Sequence, residues 1–193
     1  MSADAVRRQA RDSAINALLP LVAEHGWTLH ALRLAAGPDA DLLFPGGSPE
    51  LVEAYIDLCD REMERSAAPL LVGQKLSQRV RTLIATRLEL AAPYKMAVRR
   101  AVAVMAAGGR AGLAARCTAR TVDAIWRGAG DSSADFSWYT KRAILAGVYS
   151  STLLFWLNEA SDMEATLAFL DRRLAGVARL GKLRRRFAPP EAA

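Results

Sequence analysis

Alanine outnumbers valine and isoleucine together by 38 to 16 in this chain, and that ratio is the strongest constraint on its fold. Alanine is the best helix former, whereas β-branched side chains lose rotamer freedom in a helix and favour strands. An all-α protein is therefore expected. With 52% of its 193 residues hydrophobic, the chain can bury a substantial core, in one domain or at most two small ones. Its apolar content is far above that of disordered segments.

Glycine and proline divide the sequence into about eight or nine helical segments. The first is expected over 3–25, with Ala14, Ile15, Leu18, Leu19, Leu21 and Val22 on one face. Pro20 should kink or split it, and Gly26 ends it. Thr28 caps a short helix to Ala36, and residues 39–44 hold at most a turn or two. Ser48 is expected as the N-cap of the next helix, with Pro49 at its first position. Further helices are expected over 77–90, 94–107 and 113–127, then after a Ser133 or Asp135 cap, and from Asp162 to near Phe187. Gly108–Gly112 and Gly128–Gly130 read as breaks.

Charge is unevenly spread. Residues 1–65 hold 6 Arg and 11 acidic residues, whereas residues 66–193 hold 20 basic and 9 acidic ones. Arg172 to Arg186 carries seven basic residues and no acidic one. The longest uncharged run, Ala143 to Asn158, is 16 residues, short of the ~20 needed to span a bilayer, and no secretory signal pattern opens the chain. Cys59 and Cys117 cannot form a disulfide framework, and both read as small buried hydrophobes in a reducing compartment.

Catalytic signatures are not found. His25 and His30 flank a helix break without the one-face spacing of a metal pair, and no nucleophile elbow or dinucleotide fingerprint occurs. Asp131–Asp135 is read as a helix cap rather than a metal loop. The chain is thus expected to be no enzyme, with no cofactor and no metal. The first three segments read as a helix-turn-helix of the TetR type. Their third element, however, carries Asp39 and Asp41 and no cation, in a net-negative region that opposes approach to phosphates, so nucleic acid is not expected as a partner.

Two other features point to binding. Met163, Leu167, Leu170, Leu174 and Val177 form an apolar stripe on the last helix, with Arg172, Arg173, Arg179, Lys182, Arg185 and Arg186 mainly off it. Such a helix either packs on the domain with a solvated basic face or lies in an anionic membrane surface. Around Asp131–Asp135 sit Trp126, Phe136, Trp138 and Tyr139. Phe136 and one Trp are expected to be buried, but adjacent Trp138 and Tyr139 cannot both face one core, so one is expected at the surface.

Gly26-Trp27-Thr28, the Phe44–Gly47 turn, Arg87–Leu90 with Pro93-Tyr94-Lys95, and above all Asp131–Arg142 resemble the COQ nine-type ubiquinone-biosynthesis proteins. Ala146–Thr152 and Phe169–Arg173 continue the resemblance, which runs from Asp12 to Arg186. It implies a TetR-like helical bundle with an N-terminal helix-turn-helix-like segment and a C-terminal amphipathic helix, usually homodimeric. It further implies a non-catalytic accessory protein that binds isoprenoid quinone precursor or phospholipid and presents its cargo to the di-iron demethoxyubiquinone hydroxylase.

Carried over by residue, the partner surface is Asp131, Asp135, Trp138, Tyr139 and Arg142. The membrane element is Leu170, Leu174, Val177, Leu180 and Leu183 with Arg184, Arg185, Arg186 and Phe187. Apolar periodicity, rather than the resemblance, nominates Leu83, Leu88, Val98, Val102, Met105, Ile125, Ile144 and Val148 as lipid-binding residues. The expected division is 1–162 for the lipid-binding body, whose residues 1–65 hold the helix-turn-helix-like part, and 163–193 for the amphipathic helix and tail. Without the presequence of mitochondrial members, the chain is expected to be a bacterial cytoplasmic homologue, peripheral to the inner face of the inner membrane. The alternative is a TetR-like transcriptional regulator with a hydrophobic effector.

Overall fold

The computed structural model describes residues 2–131 and 137–186, the side chains of Ser137 and of residues 180–186 excepted. Among the described residues the regular elements are all helices, joined by short loops, with no strand. α1 (Ala3–His25) starts on Ser2, whose hydroxyl accepts from the backbone N–H of Ala5. It runs through Pro20 as one helix, so the chain is not split there. Pro20 and Asn16, whose carbonyl loses its helical partner, are both exposed, so that carbonyl is left on the solvent face while buried Leu18, Leu19 and Val22 hold the register.

α2 (Leu29–Ala36) is capped by Thr28, and the third element is only a four-residue 3-10 turn, Ala40–Leu43. α3 (Ser48–Ala67) begins one residue earlier than expected: Gly47, with φ 65°, takes the cap position, and Ser48 is already helical. α4 (Leu76–Ala91) is followed by a 3-10 turn that takes up Pro93 and Tyr94, so α5 covers Lys95–Ala106 rather than starting at Tyr94.

α6 (Ala111–Ala129) includes Gly112 and Gly128, both expected in breaks. Gly128 sits where α6 crosses α4 closely, since a Cβ there would lie 3.0 Å from Leu83 Cδ2. Gly130, in the left-handed region at φ 80°, ends the helix. α7 spans Ser137–Trp156; Ser133, Asp135 and Phe136 lie outside the described residues. α8 (Met163–Arg186) is started by Asp162, whose carboxylate accepts from the Ala165 N–H at 2.7 Å.

One buried cluster extends from Ala14 to Leu170. Trp27 joins the N-terminal helices to it: its indole stacks at 4.9 Å on Tyr55, and its Nε1 donates to the Ala97 carbonyl at 2.9 Å, both within the core. Cys117 is buried and Cys59 half-buried. No helix among the described residues is long and apolar enough to cross a membrane.

Candidate functional site

α7 divides the interior into two cavities of different chemistry. On one side, α4, α6, α7 and α8 enclose a groove of about 280 Å³. Its walls are Leu76 and Val80 from α4, Trp126 from α6, Ile144, Leu145 and Val148 from α7, and Leu174, Val177 and Ala178 from α8, with Ser77 and Lys141 at the edge. Almost every wall atom is apolar. Trp126, one of these walls, also carries a buried indole Nε1 that has no hydrogen-bond partner. A buried N–H without an acceptor costs about 1–3 kcal/mol.

On the other side of α7 a cavity of about 40 Å³ lies against Tyr55, Arg87, Val98, Val102, Met105, Thr121 and Tyr149. Its floor is a buried polar cluster. Arg87 Nε donates to Asp60 Oδ1 at 2.8 Å, and the Thr121 hydroxyl donates to the same carboxylate at 3.0 and 3.1 Å. Arg87 also lies 5.6 Å from the centre of the Tyr149 ring. Burial pushes the Asp60 carboxyl above its ordinary value, against the pull of Arg87 and Thr121. Burial likewise pushes the Tyr149 phenol up to about 12, against the Arg87 charge, and raises the Tyr55 phenol and the Cys59 thiol.

The eight residues nominated by apolar periodicity do not share one cavity. Ile144 and Val148 line the groove, whereas Val98, Val102 and Met105 line the smaller cavity. Leu83, Leu88 and Ile125 are fully buried core side chains. Periodicity cannot separate a core position from a cavity wall, because both are apolar and face inward. Trp126 stands out in the sequence as one of the aromatics around Asp131–Asp135, and nothing in its spacing marks it as a groove wall. Asp60 and Arg87 left no pattern in the sequence, since a charge sits on a buried face only when its partner, here 27 residues away, is brought to it.

Trp138, Tyr139, Arg142 and Asp131 gather around the start of α7. Tyr139 is 74% exposed and meets Trp138 edge-on at 4.7 Å, while Trp138 is half-buried. The Arg142 guanidinium lies 3.7 Å over the Trp138 ring, and its Nε donates to Asp123 on α6 at 2.5 Å. Lys141 pairs with Asp131 at 3.4 Å. Beside this cluster, Ala114, Ala115 and Ala119 of α6 and Ala143 and Ala146 of α7 floor a shallow groove that Trp138 and Arg142 border. Asp135 lies outside the described residues.

Along α8 the apolar stripe faces the bundle. Leu170 is fully buried, and Leu174 and Val177 are half-buried on the groove wall. Phe169 stacks on Phe155 at 4.5 Å, Arg173 Nε donates to Ser151, and Arg81 grips Asp171 through two hydrogen bonds of 2.7 and 3.1 Å. Leu180, Leu183 and Arg184–Arg186 continue the same helix, and Phe187 lies outside the described residues.

In the helix-turn-helix-like segment, Asp41 is tied to Arg33 at 3.0 Å. The His25 and His30 rings meet edge-on at 6.4 Å, and among the described residues no three His, Cys, Asp or Glu side chains converge as metal ligands.

Residues 111–181 match the COQ9 family model. The chain is 30% identical over 187 residues to the mitochondrial ubiquinone biosynthesis protein COQ9 of Rattus norvegicus, a match that covers 90% of this chain and 60% of that protein. The Homo sapiens protein of the same description is also 30% identical, over 90% of this chain and 59% of its own length. The chain thus spans about 60% of the length of these curated relatives. Among solved structures, the TetR transcriptional regulator from Nitrosomonas europaea superposes with a TM-score of 0.69 at 22% identity, over 88% of this chain and 98% of that one. That likeness establishes a TetR-like fold.

Proposed function

The chain is related over nine-tenths of its length to the COQ9 ubiquinone-biosynthesis proteins, and from that premise we propose that it is a non-catalytic, lipid-binding accessory protein of ubiquinone biosynthesis. It takes an isoprenoid quinone precursor into the groove beneath α8 and offers it, at the membrane, to the di-iron demethoxyubiquinone hydroxylase. The observation that carries this reading is the groove itself: an apolar slot walled by α4, α6, α7 and α8, with Trp126 as one wall. A prenylated ring with a few oxygens has the matching chemistry.

The physical need for a carrier is plain. Removing a polyprenyl tail from the bilayer costs about 0.8 kcal/mol per CH₂ exposed. A protein that covers part of the lipid while docked on the membrane lowers that barrier. Small-ligand pockets run to about 300–1,000 Å³, so a groove of about 280 Å³ takes the ring and the first part of the tail and leaves the remainder in the bilayer.

In this reading the body 1–162 carries the cargo, and 163–193 serves as wall and membrane foot. Trp138, Tyr139, Arg142, Asp131 and Asp135 meet the hydroxylase. The protein acts as a homodimer on the inner face of the bacterial inner membrane, and phospholipid is a second occupant of the groove. Native mass spectrometry with lipid extraction, on the full chain purified from its host, tests the reading. A co-purifying isoprenoid or quinone-type lipid is expected. An empty protein that shifts a DNA fragment at low salt would instead make the chain a transcriptional regulator.

A further inference from the structure

Val72 is the most exposed large apolar side chain among the described residues, at 84%, and Leu70 beside it is 54% exposed. Both stand on the α3–α4 connection, within a nine-residue run from Ser66 to Gln74 that contains no charge. We propose that this loop is a second membrane-contacting element, an apolar tip that enters an anionic bilayer alongside the basic end of α8. The proposal rests on the lipid-presenting reading but assigns a different surface.

Three observations carry it. The tip is held in place. Leu71 is buried beneath it, the Gln74 carbonyl accepts from Arg79 Nε at 2.9 Å, and the Gln74 side chain accepts from the Thr82 hydroxyl at 2.9 Å. Leu70 and Val72 are therefore displayed by a fixed turn, and insertion orders little further chain.

The register of α4 against α8 sets the second. Arg81 pairs with Asp171, while Leu76 and Ser77, five and four residues earlier, share the groove with Val177 and Ala178. The two helices run antiparallel, so α8 beyond Ala178 continues past the start of α4, towards the end of the bundle that bears the tip. Its residues 179–186 include five basic side chains and no acidic one.

The third is the local charge. Lys75 is exposed beside the tip, and the nearest carboxylates on α3 are engaged: Glu62 by Arg65 at 2.5 Å and Glu64 by Arg127 at 2.8 Å. An apolar tip with Lys75 beside it, at the end of the bundle towards which the Arg- and Lys-rich end of α8 runs, fits a negatively charged lipid surface. Leu76, 42% exposed, connects the tip to the groove wall, so lipid leaving the groove at this end passes the tip into the bilayer.

The test is flotation of the full chain with phosphatidylcholine vesicles, with and without phosphatidylglycerol. Leu70→Ser with Val72→Ser should lower partition onto the anionic vesicles about tenfold while leaving thermal unfolding by circular dichroism unchanged. Val72→Trp should bind at least as well as the unaltered chain, because indole favours the bilayer interface. A double serine variant that floats like the unaltered chain, while Lys182→Glu with Arg185→Glu sinks, overturns the tip and leaves the α8 reading standing. An unaltered chain that floats with neither vesicle overturns both. Loss of self-association in sedimentation equilibrium, with flotation unchanged, would assign the patch to a second copy instead.

Discussion

Arg142 spans two helices at once: its guanidinium covers the Trp138 ring at 3.7 Å while its Nε is held by Asp123. The indole is thereby fixed at one tilt, and the exposed Tyr139 is presented next to it. Exposed aromatics with restrained rotamers lose little entropy when a partner covers them, which is why they dominate interface energetics. Replacing Trp138 and Tyr139 by Ala should weaken hydroxylase binding about tenfold or more. Arg142→Ala should give a smaller loss, through release of the indole. Isothermal titration with the purified hydroxylase reads both, and unchanged affinity in the double variant would remove this surface from consideration.

Trp126→Phe separates the lipid from the fold. It deletes a buried donor that has no acceptor, so the lipid-free protein should be as stable as before or more stable by about 1 kcal/mol. Retained lipid should nevertheless fall, because the smaller ring leaves the groove wall less complete. Thermal denaturation of delipidated protein and the lipid-to-protein ratio in native mass spectra would show these opposite signs. A fall in both quantities would make Trp126 an ordinary packing residue.

Asp60 and Arg87 form a buried ion pair that Thr121 completes. Asp60→Ala leaves a guanidinium buried without its counter-charge and should cost about 3–5 kcal/mol in urea unfolding. Asp60→Leu combined with Arg87→Met should cost less than the single change, because neither charge then stays behind. Additive losses would mean that the pair carries no coupling.

Tyr149 gives the fold an alkaline limit. Its phenol titrates at about 12 when folded, above the ordinary 10 of an exposed phenol. A group with a raised folded value contributes stability that is complete below its unfolded value and is lost as pH rises through the folded one. Stability should therefore fall between about pH 10 and pH 12. Tyr149→Phe should flatten that part of the profile. Urea midpoints measured across this range would detect the change, and parallel curves for the two proteins would contradict it.

Much of the helix pattern was legible because Gly and Pro act locally. Thr28 capping, the Gly26 and Gly37 stops and the start of α8 after Asp162 need only neighbouring residues. Pro20, Ser48 and Gly128 read differently in three dimensions. Pro20 is tolerated because its face meets water, Gly47 takes the cap from Ser48, and Gly128 lets α6 approach Leu83. The site was less legible. Apolar spacing marks an inward face, but Leu88 in the core and Val148 on the groove have the same signature, and only packing separates them. The Asp60–Arg87 pair and the unanswered N–H of Trp126 exist only as relationships between helices. The turn that exposes Leu70 and Val72 did leave a trace, an uncharged run between Arg65 and Lys75 too short to read as a helix face.

Because Leu174 and Val177 of α8 are one wall of the groove, occupancy of that groove and docking of the helix are a single thermodynamic system. Any molecule that touches both side chains binds the docked arrangement more tightly, and by linkage it holds the helix down by the same free energy. Whatever draws α8 outward would weaken the binding of such a molecule to an equal degree. Under the proposed lipid-binding reading, loading would then be measurable from the helix as well as from the lipid.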